Sequence, residues 1–333
     1  MVGVVRERTW TPLQGGLPPG AAPAGAGVEI ACDESGFSGT NLLDPATPVI
    51  THASVDLGRS EAAGLIAALR SDLRHSPGEI KSGRFLRGPN AGEALRWLLA
   101  ALPGRAHVHL VDKQYFLVTR VVDLLRGEPS YAAGTRLTAG QRPAALALYR
   151  TLRSAGGDGD DLLAAFVAMV RVKHRQRPDR RLVDRFFQAV AALLRDGPAD
   201  ETLAGLSRSR VWSVLTRLFD DDRSIPPPLE PMLPALAETV LHWSGGRRPV
   251  LVIHDEQSAL TAGRLRRLQQ VLADGAGLPG GGSPLAGLVT VDSRDDPRVQ
   301  VADLLAGVAR RLPVDGPLRP FVSPTSLLPG RPG

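Results

Sequence analysis

Val28-Glu29-Ile30-Ala31-Cys32-Asp33-Glu34-Ser35-Gly36 carries the first decision about the fold. It is a short apolar run that ends on an acid, and the glycine after it permits a sharp turn. Two later segments have the same form: His107-Val108-His109-Leu110-Val111-Asp112, followed at once by Lys113, and Val250-Leu251-Val252-Ile253-His254-Asp255. The last is apolar on both faces, the pattern of a central, covered strand. In an open sheet the C-terminal ends of parallel strands line one edge, and ligands bind there. Taken singly, an acid at a strand end does no more than begin a loop. Asp33, Asp112 and Asp255 gathered on one edge would repel one another unless a cation sat among them. Hard oxygen ligands of this kind suit magnesium or manganese.

Outward from these strands, residues 49–55 (VITHASV) read as a further strand and residues 61–73 as a helix with Ser60 as its N-cap. A short piece, Glu79-Ile80-Lys81, puts Glu79 and Lys81 on one side if it is extended. A helix over 91–102 precedes the strand that ends at Asp112. Residues 114–246 are almost wholly helical in their spacing, without an internal repeat. Sheet character returns at Val250, followed by a helix over 259–273, a glycine-rich loop, a strand over 288–291 and a last helix over 299–311. In that helix Asp303 interrupts an apolar stretch, and Gln300 and Gly307 share its stripe at i−3 and i+4. Gly307 would let the stripe approach another backbone closely. The expected organisation is a flexible arm over 1–26, a first core part over 27–113, a helical insertion over 114–246, a second core part over 247–312 and an irregular tail over 313–333. The fold class is α/β: a mixed sheet flanked by helices, with a large all-helical insertion.

Strands, helices, the strand with Asp255, a helix, a strand and a final helix with Asp303 follow one another in the ribonuclease H-like order. The motifs Asp33-Glu34-Ser35-Gly36, Glu79-Ile80-Lys81, Val111-Asp112-Lys113, His254-Asp255-Glu256 and Asp292-Ser293 with Val299-Gln300-Val301-Ala302-Asp303-Leu304-Leu305-Ala306-Gly307 resemble a bacterial family designated "domain of unknown function 3800". The resemblance spans about residues 28–311, is most specific in its first and last motifs, and covers the helical middle poorly. It implies a ribonuclease H-like core and nuclease activity, with Asp33, Asp255 and Asp303 as metal-binding acids. Two metals there would activate a water and stabilise the leaving oxygen of an in-line displacement. Asp112 would be a further ligand or position the water, and Lys81 and Lys113 would neutralise a phosphate or the developing charge. The plainer reading of each lysine is a surface ion pair, worth less than about 1 kcal/mol. The two helices between the second strand and Asp112 replace the hairpin of a plain ribonuclease H meander. They set Asp112 further from the metals than the other acids.

Composition agrees with an anionic partner. The 333 residues carry a net charge of +6, which favours nucleic acid, DNA or RNA, ahead of a membrane. Of 40 basic residues only three are lysines, Lys81, Lys113 and Lys173, and two of these stand inside the acidic motifs. The single cysteine, Cys32, excludes a disulfide framework and a cysteine-built zinc site. No apolar run is long enough for a membrane span, and the N-terminus lacks the apolar core of a secretory signal, so a cytoplasmic location is expected. His107 and His109 alternate on one strand face without an evident third ligand and read as exposed strand residues. Asp158, Asp160 and Asp161 read as a helix cap, Asp220-Asp221-Asp222 as a solvated turn, and Gly280-Gly281-Gly282 lacks the Lys-Ser/Thr of a phosphate loop. The basic stretch 171–185 could track a phosphate backbone or form a solvated surface between helices. The expected function is a nuclease dependent on magnesium or manganese. The alternative is a non-catalytic nucleic-acid- or protein-binding module with a degenerate ribonuclease H-like site, whose contacts come from the insertion.

Overall fold

The computed structural model describes residues 16–19, 27–37, 41–73, 80–171, 177–196 and 200–330. Five strands form one sheet: β1 (Val28–Ser35), β2 (Val49–Val55), β3 (Ala106–Asp112), β4 (Val250–Asp255) and β5 (Leu285–Val291), in the spatial order β3-β2-β1-β4-β5. β2 is antiparallel to both β1 and β3, whereas β4 is parallel to β1 and β5 parallel to β4. The C-terminal ends of β1, β3, β4 and β5 therefore share one edge of a mixed sheet.

Between β2 and β3 lie α1 (Arg59–Leu73), α2 (Ser82–Phe85) and α3 (Ala91–Ala100). The long connection from β3 to β4 holds α4 (Lys113–Leu125), α5 (Arg142–Ser154), α6 (Gly157–Val170), α7 (Arg180–Asp196), α8 (Glu201–Ala204), α9 (Arg208–Phe219) and α10 (Met232–Ser244). α11 (Ala262–Ala276) joins β4 to β5, and α12 (Pro297–Ala309) follows β5. The α12 start is set by Pro297 in its first turn and by the N-cap Asp296, whose carboxylate accepts from Arg298 N at 3.0 Å. α10 stops at Gly245, whose φ of 53° is left-handed.

The two-residue period of the strands sorts their side chains into two cores. Val28, Ile30 and Cys32 of β1 pack with the insertion helices and α11, whereas Ala31 packs with α1, α3 and α12 on the other face. The insertion is thus one layer of the molecule rather than an appended body. α12 is pinned across β2 by the Thr51 hydroxyl, which donates to the Ala306 carbonyl at 2.7 Å.

Three expectations change. Part of the supposed arm is paired: Leu17 exchanges two backbone hydrogen bonds of 2.7 Å with Leu288 on the outer edge of β5. The C-terminal segment has little regular structure, yet it runs along the outer edge of β3, where Ser323 N donates to Val108 O and Leu327 N to Leu110 O. Both sheet edges are covered in this way, which removes open edges that invite pairing with other chains. His107 and His109, expected at the surface, are 2% and 0% exposed because their strand face lies under the insertion. Residues 172–176 of the basic stretch 171–185 lie outside the described residues, as do 1–15 and 20–26 of the arm. Among the described residues no helix is long and apolar enough to cross a membrane.

Candidate functional site

The parallel register of β1 and β4 ends at Cys32 beside His254. One residue further, Asp33 and Asp255 leave neighbouring strands on the same face, the one covered by α12, with backbones about 4.8 Å apart. α12 supplies Asp303 from above. It is the one partly exposed position between Arg298 and Ala309, the interruption expected of a carboxylate turned out of an apolar helix. Asp33 is 6% exposed and accepts from Glu34 N at 2.6 Å. Burial, and then the charges of Glu34, Asp303 and Asp255, hold its carboxyl well above the usual carboxylate range. Asp255 Oδ1 accepts from Ser293 N at 3.1 Å, which ties the loop after β5 to the same edge. The sheet edge and α12 thus bring Asp255 and Asp303 within electrostatic reach of Asp33.

Asp112 is elsewhere. It ends β3, two strands from β1, and its carboxylate accepts from Tyr115 N at 2.8 Å as the N-cap of α4. Burial raises its pKa, opposed by the Tyr115 and Gln114 backbone N–H groups and the charge of Arg153. Lys113 is buried beneath the loop before β2, where Nζ donates to Thr47 Oγ1 at 2.9 Å and to Asn41 O at 3.4 Å. It fastens that loop rather than facing the acids. Lys81 is exposed at the entry to α2. α2 lies directly on α12, because a Cβ at Gly307 would meet Ser82 Oγ at 2.0 Å. Lys81 therefore stands near the turn of α12 that carries Asp303. Glu79 lies outside the described residues. Gln300, on the Asp303 stripe, accepts from Arg70 of α1 at 3.1 Å.

Sequence reasoning missed three features. Glu34 points to the insertion face; Gln257 Nε2 donates to its Oε1, and burial above all raises its pKa to about 7. Glu230, also raised to about 7 by burial, adds its charge to the environment of Glu34 and lines a cavity of about 640 Å³ between the insertion and α11, with Tyr131, Arg171 and Arg264. Arg310, just past α12, donates from Nε to Ser35 Oγ at 3.0 Å and places a cation over the turn after β1. That turn needs its glycine: Gly36 has φ 90°, and a Cβ there would meet Val49 O at 2.6 Å. A glutamate directly after the strand-ending aspartate was the available signal for Glu34. Nothing in the sequence pairs Arg310 with Ser35.

The donor chemistry of Asp33, Asp255 and Asp303, all hard oxygens, fits magnesium or manganese. Among the described residues no three His, Cys, Asp or Glu side chains already close on one metal position, so these acids are gathered but not preset. No family model, no curated protein and no solved structure matches the chain.

Proposed function

We propose that this chain is a metal-dependent nuclease with a ribonuclease H-like core, in which Asp33, Asp255 and Asp303 hold magnesium or manganese. The observation that carries the reading is that the ends of β1 and β4 and the helix α12 put Asp255 and Asp303 close enough for their charges, with burial and Glu34, to raise the Asp33 carboxyl. Like charges collected at partial burial are costly to the empty protein, and a divalent cation offsets that cost directly. The strand order β3-β2-β1-β4-β5, with β2 alone reversed, supports the fold half of the reading. A bound cation would supply an activated water and charge stabilisation at the leaving oxygen. The protein's own residues would do the rest. Ser293 N–H and the β4 backbone hold Asp255 in place, while Arg310 and Lys81 offer positive charge to a phosphate at the rim. The net charge of +6 favours DNA or RNA as the polyanion.

The test is cleavage of labelled single- and double-stranded DNA, RNA and RNA–DNA hybrid with manganese, magnesium or EDTA. Cleavage that needs metal and disappears in Asp33→Asn is the expected result. If no substrate is cut and manganese gives no thermal shift, the chain is a binding module and the nuclease reading is wrong. A thermal shift without cleavage keeps the metal site and overturns the nucleic-acid substrate.

A further inference from the structure

On the insertion face, the acid edge continues into a row of buried polar groups. β2 and β4 flank β1, and His52 and His254 reach across it from either side, their rings stacked with centroids 5.3 Å apart. His52 Nε2 lies 3.2 Å from His254 Nε2. The other nitrogen of each ring is also engaged. His52 Nδ1 is 2.9 Å from the Thr239 hydroxyl of α10, and His254 Nδ1 is 2.9 Å from the main-chain carbonyl of Asp255. Thr239, His52 and His254 are all fully buried.

These contacts fix the hydrogens in one direction. A carbonyl only accepts, so His254 Nδ1 carries a hydrogen. Both rings are fully buried, which favours the uncharged imidazole, so His254 Nε2 is a bare lone pair. His52 Nε2 must then donate to it, which leaves His52 Nδ1 bare and obliges Thr239 to donate. Glu34 Oε2 lies 3.9 Å from the same His254 Nε2, beyond hydrogen-bond reach.

We propose that Thr239, His52 and His254 are positioning residues, a one-way hydrogen-bond chain from the helical insertion across β1 to the main chain of Asp255 that aims its carboxylate at the cation. The role in cation binding rests on the metal-site reading above; the chain and its grip on Asp255 do not. Asp255 is held at two points, its carbonyl by His254 and its carboxylate by Ser293 N. Partners that orient a metal-binding residue commonly carry a factor of about 10–100 in metal affinity. The chain also gives the insertion a fixed mechanical link to the acid edge, since α10 supplies its first donor.

The experiment uses the full chain with 15N-labelled histidine and 13C-labelled carbonyls, as wild type, Thr239→Val and Thr239→Ser. In metal-free wild type, His52 is expected protonated at Nε2 and His254 at Nδ1. The Asp255 carbonyl shift should move in Thr239→Val and return in Thr239→Ser, in which the hydroxyl is restored. A His52 protonated at Nδ1, or an Asp255 carbonyl indifferent to Thr239→Val, overturns the chain. Manganese titration then reads the consequence: affinity about 10-fold weaker in Thr239→Val and recovered in Thr239→Ser. Equal affinity in wild type and Thr239→Val overturns the positioning role. Wild type that binds no manganese sinks the metal-site reading and the cation-aiming role with it, while the ring and carbonyl spectra still decide whether the chain grips Asp255.

Discussion

Asp33 and Glu34 are neighbours in sequence, yet the pleat of β1 sends one carboxylate to the α12 face and the other to the insertion face. Each meets further acids there, Asp255 and Asp303 on one side and Glu230 on the other. The insertion face also holds histidines with the opposite shift: burial lowers His109 and His254 to about 4. The two sets pull stability in opposite directions over the same pH range. Between about pH 4.5 and 7 the folded protein keeps protons on Glu34 and Glu230 that the unfolded chain has lost, so these groups destabilise it progressively as pH rises. Between about pH 4 and 6.5 the unfolded chain binds protons that buried His109 and His254 refuse, so they add stability as pH rises and withdraw it on acidification. Glu34→Gln removes one acidic contribution and keeps an oxygen for Gln257. In EDTA its stability gain over wild type should be near zero at pH 4.5 and grow to about 1–3 kcal/mol by pH 8. Urea denaturation across that range measures it, and a gain independent of pH would contradict the assigned burial of Glu34.

α12 is the element on which the acid site depends, and its seam with α2 is tight. A Cβ at Gly307 would fall 2.0 Å from Ser82 Oγ and 2.5 Å from Ser82 Cβ, closer than any relaxed contact. Gly307→Ala should therefore force α2 away and destabilise the protein by about 1–3 kcal/mol. Ser82→Gly in the same chain should recover part of that loss, because it removes the atoms that collide. Additive costs in the double variant would show that the collision is elsewhere. The glycine at i+4 from Asp303 was readable in the sequence as a point of close approach, and so were the five strands, three from apolar runs that end on an acid and two from apolar runs alone. Ser82 as the partner was not readable, since it comes from a four-residue helix too short to leave a periodic signal. Asp112 shows the complementary limit. Its place at a strand end was legible, but whether such an acid meets other acids or caps the next helix depends on strand order. That order is a long-range property which local spacing does not encode. The burial of the histidines has a signal too: His107, His109 and His254 stand among apolar strand residues, and His52 stands between Ile50 and Val55.

At the scale of the molecule, the insertion and the sheet are one structure. Val28, Ile30, Cys32, Val250 and Val252 of the central strands share a single apolar cluster with Phe116, Phe166, Phe186, Leu236 and Val240 of the insertion. The polar contacts cross the same boundary: Trp243 Nε1 of α10 donates to Ser54 Oγ of β2 at 2.8 Å, and Thr239 meets His52. The buried Glu238 of α10 binds Arg136 within the insertion and accepts from Thr325 Oγ1 of the C-terminal segment. A sheet stripped of residues 114–246 would keep only α11 on that face and expose the rest, including imidazoles that are now buried, and would lose the chain that ends on Asp255. The sequence suggests two core parts with a helical body inserted between them, which taken as separate domains would melt in two steps. The shared core instead dictates cooperative loss of sheet and insertion together. Calorimetry of the metal-free full chain should give one transition, with tryptophan fluorescence and far-ultraviolet circular dichroism coincident through it. Trp243, read in a chain whose other three tryptophans are replaced by Phe, reports the interface between α10 and β2, so its signal should move neither before nor after the helices. An early, separate loss of helical signal with the Trp243 environment intact would mean that the insertion unfolds alone, and the coupling between insertion and acid edge would then have no structural basis.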